Sequence, residues 1–272
     1  MIEGDLPLKP TDRGFLLGDG IFETILVIDG KALWRDAHLA RLKTSAGELG
    51  LPFGAAKIAR AIDRLLAQAT PDSHVLRITL TRGSAARGLV ANGAEPTLLV
   101  SLDPFSMDLL FQPVRLVTST VRRNEFAPSS RLKTLSYIDA IAAAREASAK
   151  DADDALMLNT PGNLASTTIA NLFLLKGDRL ITPALNQAIL PGIMRRVLLD
   201  EASSLGLKPV ERAIAPHELG EAEAVFLTNS LRLLRPVTAL DGASIKTRDL
   251  GFLMERLCLL VTQQGARDPR LI

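Results

Sequence analysis

Residues 22–34 read FETILVIDGKALW. Apolar and β-branched residues run up to Asp29-Gly30 and resume beyond it. Asp-Gly accepts the positive φ of a tight two-residue turn, so this stretch predicts a β-hairpin. The same grammar recurs in NLFLLKGDRLITP (171–183) and, more weakly, in VTALDGASI (237–245). Residues 75–82, VLRITLTR, set Leu76, Ile78 and Leu80 against Arg77, Thr79 and Thr81, which makes one strand face buried and the other polar. LLVSL (98–102) and VRLVTST (114–120) read as further strands.

Helical patterns alternate with these strands. Asp36 is placed to cap a helix whose stripe is Leu39, Leu42, Ala46 and Leu49, with Gly50 as the stop. Residues 55–69, 134–149, 193–205 and 248–263 read as helices by spacing and composition. The polar, proline-bearing RRNEFAPSSR (122–131) separates two well-patterned halves and is expected to be a linker. The fold class is therefore α+β: a small N-terminal domain over 1–121 and a larger domain over 132–272, with the crevice between them the expected site.

At 272 residues each half can bury its own core. A net charge of +2 with one Trp and one Tyr argues against a nucleic-acid partner. The opening MIEGDLPLKP lacks the basic start and apolar core of a signal peptide, and no apolar run reaches membrane-spanning length, so a cytoplasmic protein is expected. Cys258 stands alone in an apolar pattern. His38, His74 and His217 show no metal-ligand spacing, so no metal site is expected.

Three local features suggest chemistry. Lys133 opens a stretch with few other charges. LPGIMRR (190–196) starts a helix at Gly192, leaving the backbone N–H groups of Ile193 and Met194 for an anion such as phosphate. Thr228-Asn229-Ser230 closes a strand and supplies hydroxyls. A lysine that reaches a phosphate-anchored aldehyde forms a Schiff base, and desolvation favours its nucleophilic form.

Six ordered segments carry a family resemblance: DRGFLLGDGIFET (12–24), HLARL (38–42), RLKTLSYIDA (131–140), GNLASTTIANLF (162–173), ITPALNQAILPGIMRR (181–196) and TNS (228–230). The chain resembles the class IV aminotransferases, the fold-type IV pyridoxal-phosphate enzymes. These include branched-chain and D-amino-acid aminotransferases and aminodeoxychorismate lyase.

The resemblance implies a small N-terminal α/β sandwich, a larger C-terminal sheet domain, pyridoxal 5'-phosphate as cofactor and a homodimer. It implies that Lys133 carries the cofactor aldehyde and moves the α-proton. Arg41, Ile193, Met194 and Ser230 would bind the phosphate, and Tyr137 the cofactor's phenolic oxygen. From the residues alone, Arg41 is equally a charge on an amphipathic helix and Tyr137 a core aromatic.

Phe22 and Thr24 share a strand face and would line the substrate pocket, with Glu23 pointing away. The loop TRGSAARGL (81–89) reads as flexible and cationic, and Arg87 would meet a substrate carboxylate. Its RGSAARGL pattern is closer to the loop of aminodeoxychorismate lyases than to the Arg-x-His of D-amino-acid aminotransferases.

One departure stands out. Ser166 falls where the family has the glutamate that keeps the pyridine nitrogen protonated. A neutral hydroxyl leaves a weaker electron sink, which favours elimination over amino transfer. The expected function is 4-amino-4-deoxychorismate lyase, giving 4-aminobenzoate and pyruvate in folate biosynthesis. An aminotransferase for D-amino or branched-chain substrates and a non-catalytic pyridoxal-phosphate binder are the alternatives. Thr167 and Thr168 are expected on the loop entering the pocket.

Overall fold

The computed structural model describes residues 8–90 and 95–271. The fold is mixed α and β, as the patterning predicts, and it packs as two units. One holds the described residues of Met1–Met107, Leu132–Ser136 and Val261–Ile272; the other holds Asp108–Arg131 and Tyr137–Leu260.

The first unit contains α1 (Arg13–Leu17), β1 (Gly20–Ile28), β2 (Lys31–Ala32), α2 (Arg35–Glu48), α3 (Ala55–Leu66), β3 (Ser73–Thr81) and β4 (Thr97–Pro104). Its sheet is antiparallel in the order β2-β1-β3-β4. The predicted hairpin turns at Asp29 (φ 53°) and Gly30 (φ 73°), the double left-handed geometry that Asp-Gly tolerates.

Strand alternation sends Ile21, Ile25 and Val27 to one face, where they meet Leu42 and Ala46 of α2 and Ile58 and Ile62 of α3. Each such aliphatic side chain, taken fully out of water, is worth about 1.5–3 kcal/mol. Helix α2 begins at Arg35 on Trp34, which holds φ 49°, and no side chain caps it. Asp36 lies inside the first turn, where its charge suits the helix dipole although it does not cap.

The second unit contains β5 (Val114–Arg123), α4 (Pro128–Arg131), α5 (Ile138–Ala149), β6 (Asp154–Asn159), β7 (Leu164–Thr167), β8 (Asn171–Lys176), β9 (Arg179–Pro183), α6 (Ile193–Glu201), β10 (Lys208–Arg212), α7 (Glu218–Glu221), β11 (Ala224–Asn229), β12 (Leu233–Leu240), β13 (Ala243–Ser244) and the start of α8 (Gly251–Gln263). The sheet order is β10-β9-β8-β11-β12-β5-β6-β7, with β13 on β12. A Ser166–Asn171 pairing joins β7 to β8, so six strands close into a ring. Helix α5 makes the crossover between parallel β5 and β6, and Ala143 and Ala147 let it lie close over Val117, Ala155 and Met157.

Two further expectations change. The stretch 122–131 is the end of β5 followed by the single turn α4, all within the second unit. Its polarity misleads because the Arg123 guanidinium is turned inward onto the carbonyls of Ala188 and Ser130. The helix expected over 134–149 starts only at Ile138, because residues 133–135 run extended beside β1. No helix among the described residues is long and apolar enough to cross a membrane.

Candidate active site

In the first unit, β2 covers one end of β1 and the segment around Lys133 covers the other. Phe22 N–H donates to the Lys133 carbonyl and Leu135 N–H to the Gly20 carbonyl, each at 2.9 Å, while Ile21 bridges Thr134. These backbone bonds fix where the Lys133 side chain departs. Its Nζ lies 4.3 Å from the centre of the Phe22 ring, and the Arg77 guanidinium carbon lies 4.0 Å from the same centre.

Thr24 pairs with Arg77 and Phe22 with Thr79, and directly opposed residues share a face. Phe22, Thr24, Arg77 and Lys133 therefore form one group on the polar side of the sheet. Arg77 was not among the residues singled out from sequence, although its place in the 75–82 alternation put it on that side.

Glu23 points the other way, as alternation requires, and is bonded there to two side chains of α2. It is 1% exposed. Its Oε1 accepts from Arg41 Nε at 2.8 Å, and its Oε2 accepts from Arg41 Nη2 and from His38 Nδ1, each at 2.7 Å. Burial alone would raise its pKa, but the Arg41 charge and the hydrogen bonds from His38 and Arg41 outweigh burial and hold it at about 2. Burial likewise lowers the His38 pKa, against the pull of Glu23. Arg41, expected from the helix pattern alone to face solvent, is thus largely buried and clamped from behind.

The loop after β3 is anchored rather than loose. Arg82 binds Asp19 and the carbonyls of Leu49 and Gly50, and Arg13 binds Asp19 and the carbonyls of Gly88 and Leu89. Arg87 lies exposed on this loop.

In the second unit, α6 starts at Gly192 with no side-chain cap, and Ile193 and Met194 supply its first N–H groups. A Cβ on Gly192 would fall 1.9 Å from Asn171 Oδ1, so this approach requires glycine. The Asn171 amide in turn donates to the Leu190 carbonyl at 2.9 Å. Thr228 is paired opposite Asn171, and its hydroxyl is buried without a partner among the described residues. Ser230 follows at the end of the strand, half-buried. An uncapped helix start beside an unsatisfied buried hydroxyl fits an anion. Tyr137 stands at the head of α5. The Arg123 guanidinium lies within electrostatic reach of it; burial lowers the Arg123 pKa, while Tyr137 and Asp139 oppose the shift.

The hydroxyl run of GNLASTTIANLF resolves into local bonds. Ser166, buried in β7, donates to the Thr167 carbonyl at 2.9 Å. Thr167 Oγ1 accepts from Ala170 N–H at 3.2 Å, and Thr168 donates to Asp154 at 2.5 Å. Thr167 and Thr168 thus hold the β7–β8 turn and a buried carboxylate.

Known proteins match this chain across nearly its whole length. The model of the family described as amino-transferase class IV matches residues 20–240. The D-alanine aminotransferase of Bacillus licheniformis is 30% identical over 239 residues, 86% of this chain and 83% of its own. The aminodeoxychorismate lyase of Bacillus subtilis is 29% identical over 246 residues, 89% of this chain and 84% of its own. The crystal structure of 4-amino-4-deoxychorismate lyase from Pseudomonas aeruginosa superposes with a TM-score of 0.84 at 29% identity, covering 93% of this chain and 95% of that one. The chain belongs to the class IV aminotransferases, a family of pyridoxal-phosphate enzymes.

Proposed function

We propose that this protein is a 4-amino-4-deoxychorismate lyase that uses pyridoxal 5'-phosphate. The observation that carries the choice is Ser166: a buried neutral hydroxyl, already bonded to the Thr167 carbonyl, occupies the position where the resemblance expects a glutamate.

Pyridoxal phosphate, when bound, supplies an aldehyde for the substrate amine and a ring that draws electrons from the adjoining carbon. Arg41, the N–H groups of Ile193 and Met194, and the hydroxyl of Ser230 would hold its phosphate and Tyr137 its phenolic oxygen, while Ser166 would meet its ring nitrogen by turning its O–H from the Thr167 carbonyl. Lys133 Nζ takes the proton from the carbon that bears the amine. The bond from the neighbouring ring carbon to the enolpyruvyl oxygen then breaks, its electron pair leaves with the oxygen, and the enolate takes up a proton at its methylene carbon to become pyruvate. The product ring is aromatic, and that gain replaces much of the electron withdrawal a protonated cofactor ring would provide. Phe22 and Thr24 line the substrate side. Arg77 beside Phe22 and Arg87 on the loop face the carboxylates of a dianionic substrate.

Phe15, Leu16 and Leu17 of α1 and Leu89 and Val90 of the loop are all more than half exposed, and Arg13 ties the two segments together. This apolar patch supports a homodimer. On the same reading the enzyme works in the cytoplasm, supplying 4-aminobenzoate for folate.

Purified protein given pyridoxal phosphate and aminodeoxychorismate should release pyruvate and 4-aminobenzoate in equal amounts. Efficient conversion of the cofactor to its amine form by D-alanine or a branched-chain amino acid, without pyruvate release from aminodeoxychorismate, assigns the protein as an aminotransferase instead. That second reading rests on the D-alanine aminotransferase relative.

A further inference from the structure

We infer that Glu23 is a positioning residue for the cofactor phosphate: it holds the Arg41 guanidinium in the one orientation that can receive the anion. The inference rests on the proposed role of Arg41 and assigns a task to a carboxylate that touches neither substrate nor cofactor.

The geometry is specific. Arg41 offers five N–H donors in a planar fork, and Glu23 accepts from Nε and Nη2, one oxygen to each. Two parallel bonds fix the rotation of the plane as well as its place. The second of those oxygens is also held by His38 Nδ1 at 2.7 Å, so the carboxylate itself cannot swing. His38 and Arg41 stand three apart on α2, one helical turn, and both point at the same strand residue.

All three side chains are largely buried, with side-chain exposures of 1% for His38, 1% for Glu23 and 10% for Arg41. An arginine without such a clamp must surrender the freedom of a long side chain each time it binds an anion; this one has already done so. The negative charge of Glu23 opposes phosphate binding, while its two bonds to Arg41 favour it by fixing the guanidinium plane.

The test compares binding of pyridoxal phosphate with binding of pyridoxal, which lacks the phosphate, by visible absorbance titration of the apo-protein. Glu23→Gln keeps size and one acceptor oxygen but cannot accept from both Arg41 nitrogens. Its Kd for pyridoxal phosphate should rise about tenfold, ~1.4 kcal/mol, with the Kd for pyridoxal nearly unchanged.

Arg41→Gln should produce the same selective loss. If Arg41→Gln is selective and Glu23→Gln is not, the positioning role is overturned while Arg41 keeps its place. If Arg41→Gln leaves the ratio of the two constants intact, the phosphate reading of Arg41 fails, and the inference with it. Equal weakening for both ligands marks Glu23 as merely structural, and tighter pyridoxal phosphate binding shows that charge outweighs orientation; either result sinks the proposal. Should Glu23→Gln not fold, Glu23→Asp retains the charge and draws the carboxylate back by one methylene, and the same ratio must shift.

Discussion

One polar cluster in each unit sets up a contrast. In the first unit, Glu23, His38 and Arg41 are locked to one another by bonds of 2.7 to 2.8 Å. In the second, the start of α6 has no cap and the Thr228 hydroxyl has no partner among the described residues. A buried cation needs a counter-charge within the protein, because an unpaired charge in the interior costs several kcal/mol. A few N–H groups and a hydroxyl are cheaper to leave waiting, at about 1–3 kcal/mol for an unmade buried hydrogen bond. On the proposed function the first cluster, apart from the unpartnered His38 Nε2, is assembled before a ligand arrives, and the second is completed by one.

The strongest test removes the amine that, on the proposed function, meets the cofactor aldehyde. Lys133→Ala should abolish the yellow colour formed with pyridoxal phosphate and slow turnover by at least about 10²–10⁴-fold, the share that proton transfer alone supplies. Absorbance and pyruvate release measure it.

Next comes Gly192→Ala, whose Cβ must displace the Asn171 side chain and break its bond to the Leu190 carbonyl. We expect a loss of about 1–3 kcal/mol in thermal unfolding together with weaker cofactor binding.

Thr228→Val sharpens the contrast because its two effects differ in sign. Replacing an unsatisfied buried hydroxyl by a methyl should leave the apo-protein as stable or up to about 1–2 kcal/mol more stable. The same change should weaken binding of pyridoxal phosphate. Stability and affinity measured on one preparation decide it.

The last test concerns acid. The Glu23 carboxyl sits at about 2 in the folded protein, against an ordinary value of 4.5. Its contribution to stability is fully present above the unfolded value and fades as pH falls from 4.5 towards 2. Denaturant unfolding between pH 5 and pH 2 should show that fading in the wild type, beyond the loss common to other carboxylates, and less of it in Glu23→Gln.

The sequence was most legible where local chemistry decides the backbone. Asp29-Gly30 and Asp241-Gly242 both adopt the left-handed turn their residues favour. It was least legible where a distant partner decides. Residues 134–137 look helical by composition, but the bonds to Gly20 and Phe22 hold the start of this segment extended. Arg123 looks like linker polarity until the carbonyls of Ala188 and Ser130 are found around it.

Glu23 lies between these cases. A lone carboxylate on the buried face of an apolar strand demands a cation, and His38 and Arg41, one turn apart on the next helix, were available to meet it. That signal is carried by the face of β1 opposite Phe22 and Thr24. Ser166 was legible as a departure from the family pattern, whereas the local tasks of Thr167 and Thr168 needed the turn and Asp154 to be seen.

Both ends of the segment 82–90 are gripped by arginines, Arg82 on Asp19 and the end of α2, Arg13 on the carbonyls of Gly88 and Leu89. For an engineer this makes residues 84–87 an exchangeable cassette. Side chains there can be rewritten, Arg87 first among them, while the clamps keep the frame in register. Libraries confined to those four positions should therefore change which acids are accepted at little cost in folding, and a library that includes Arg13 or Arg82 should not.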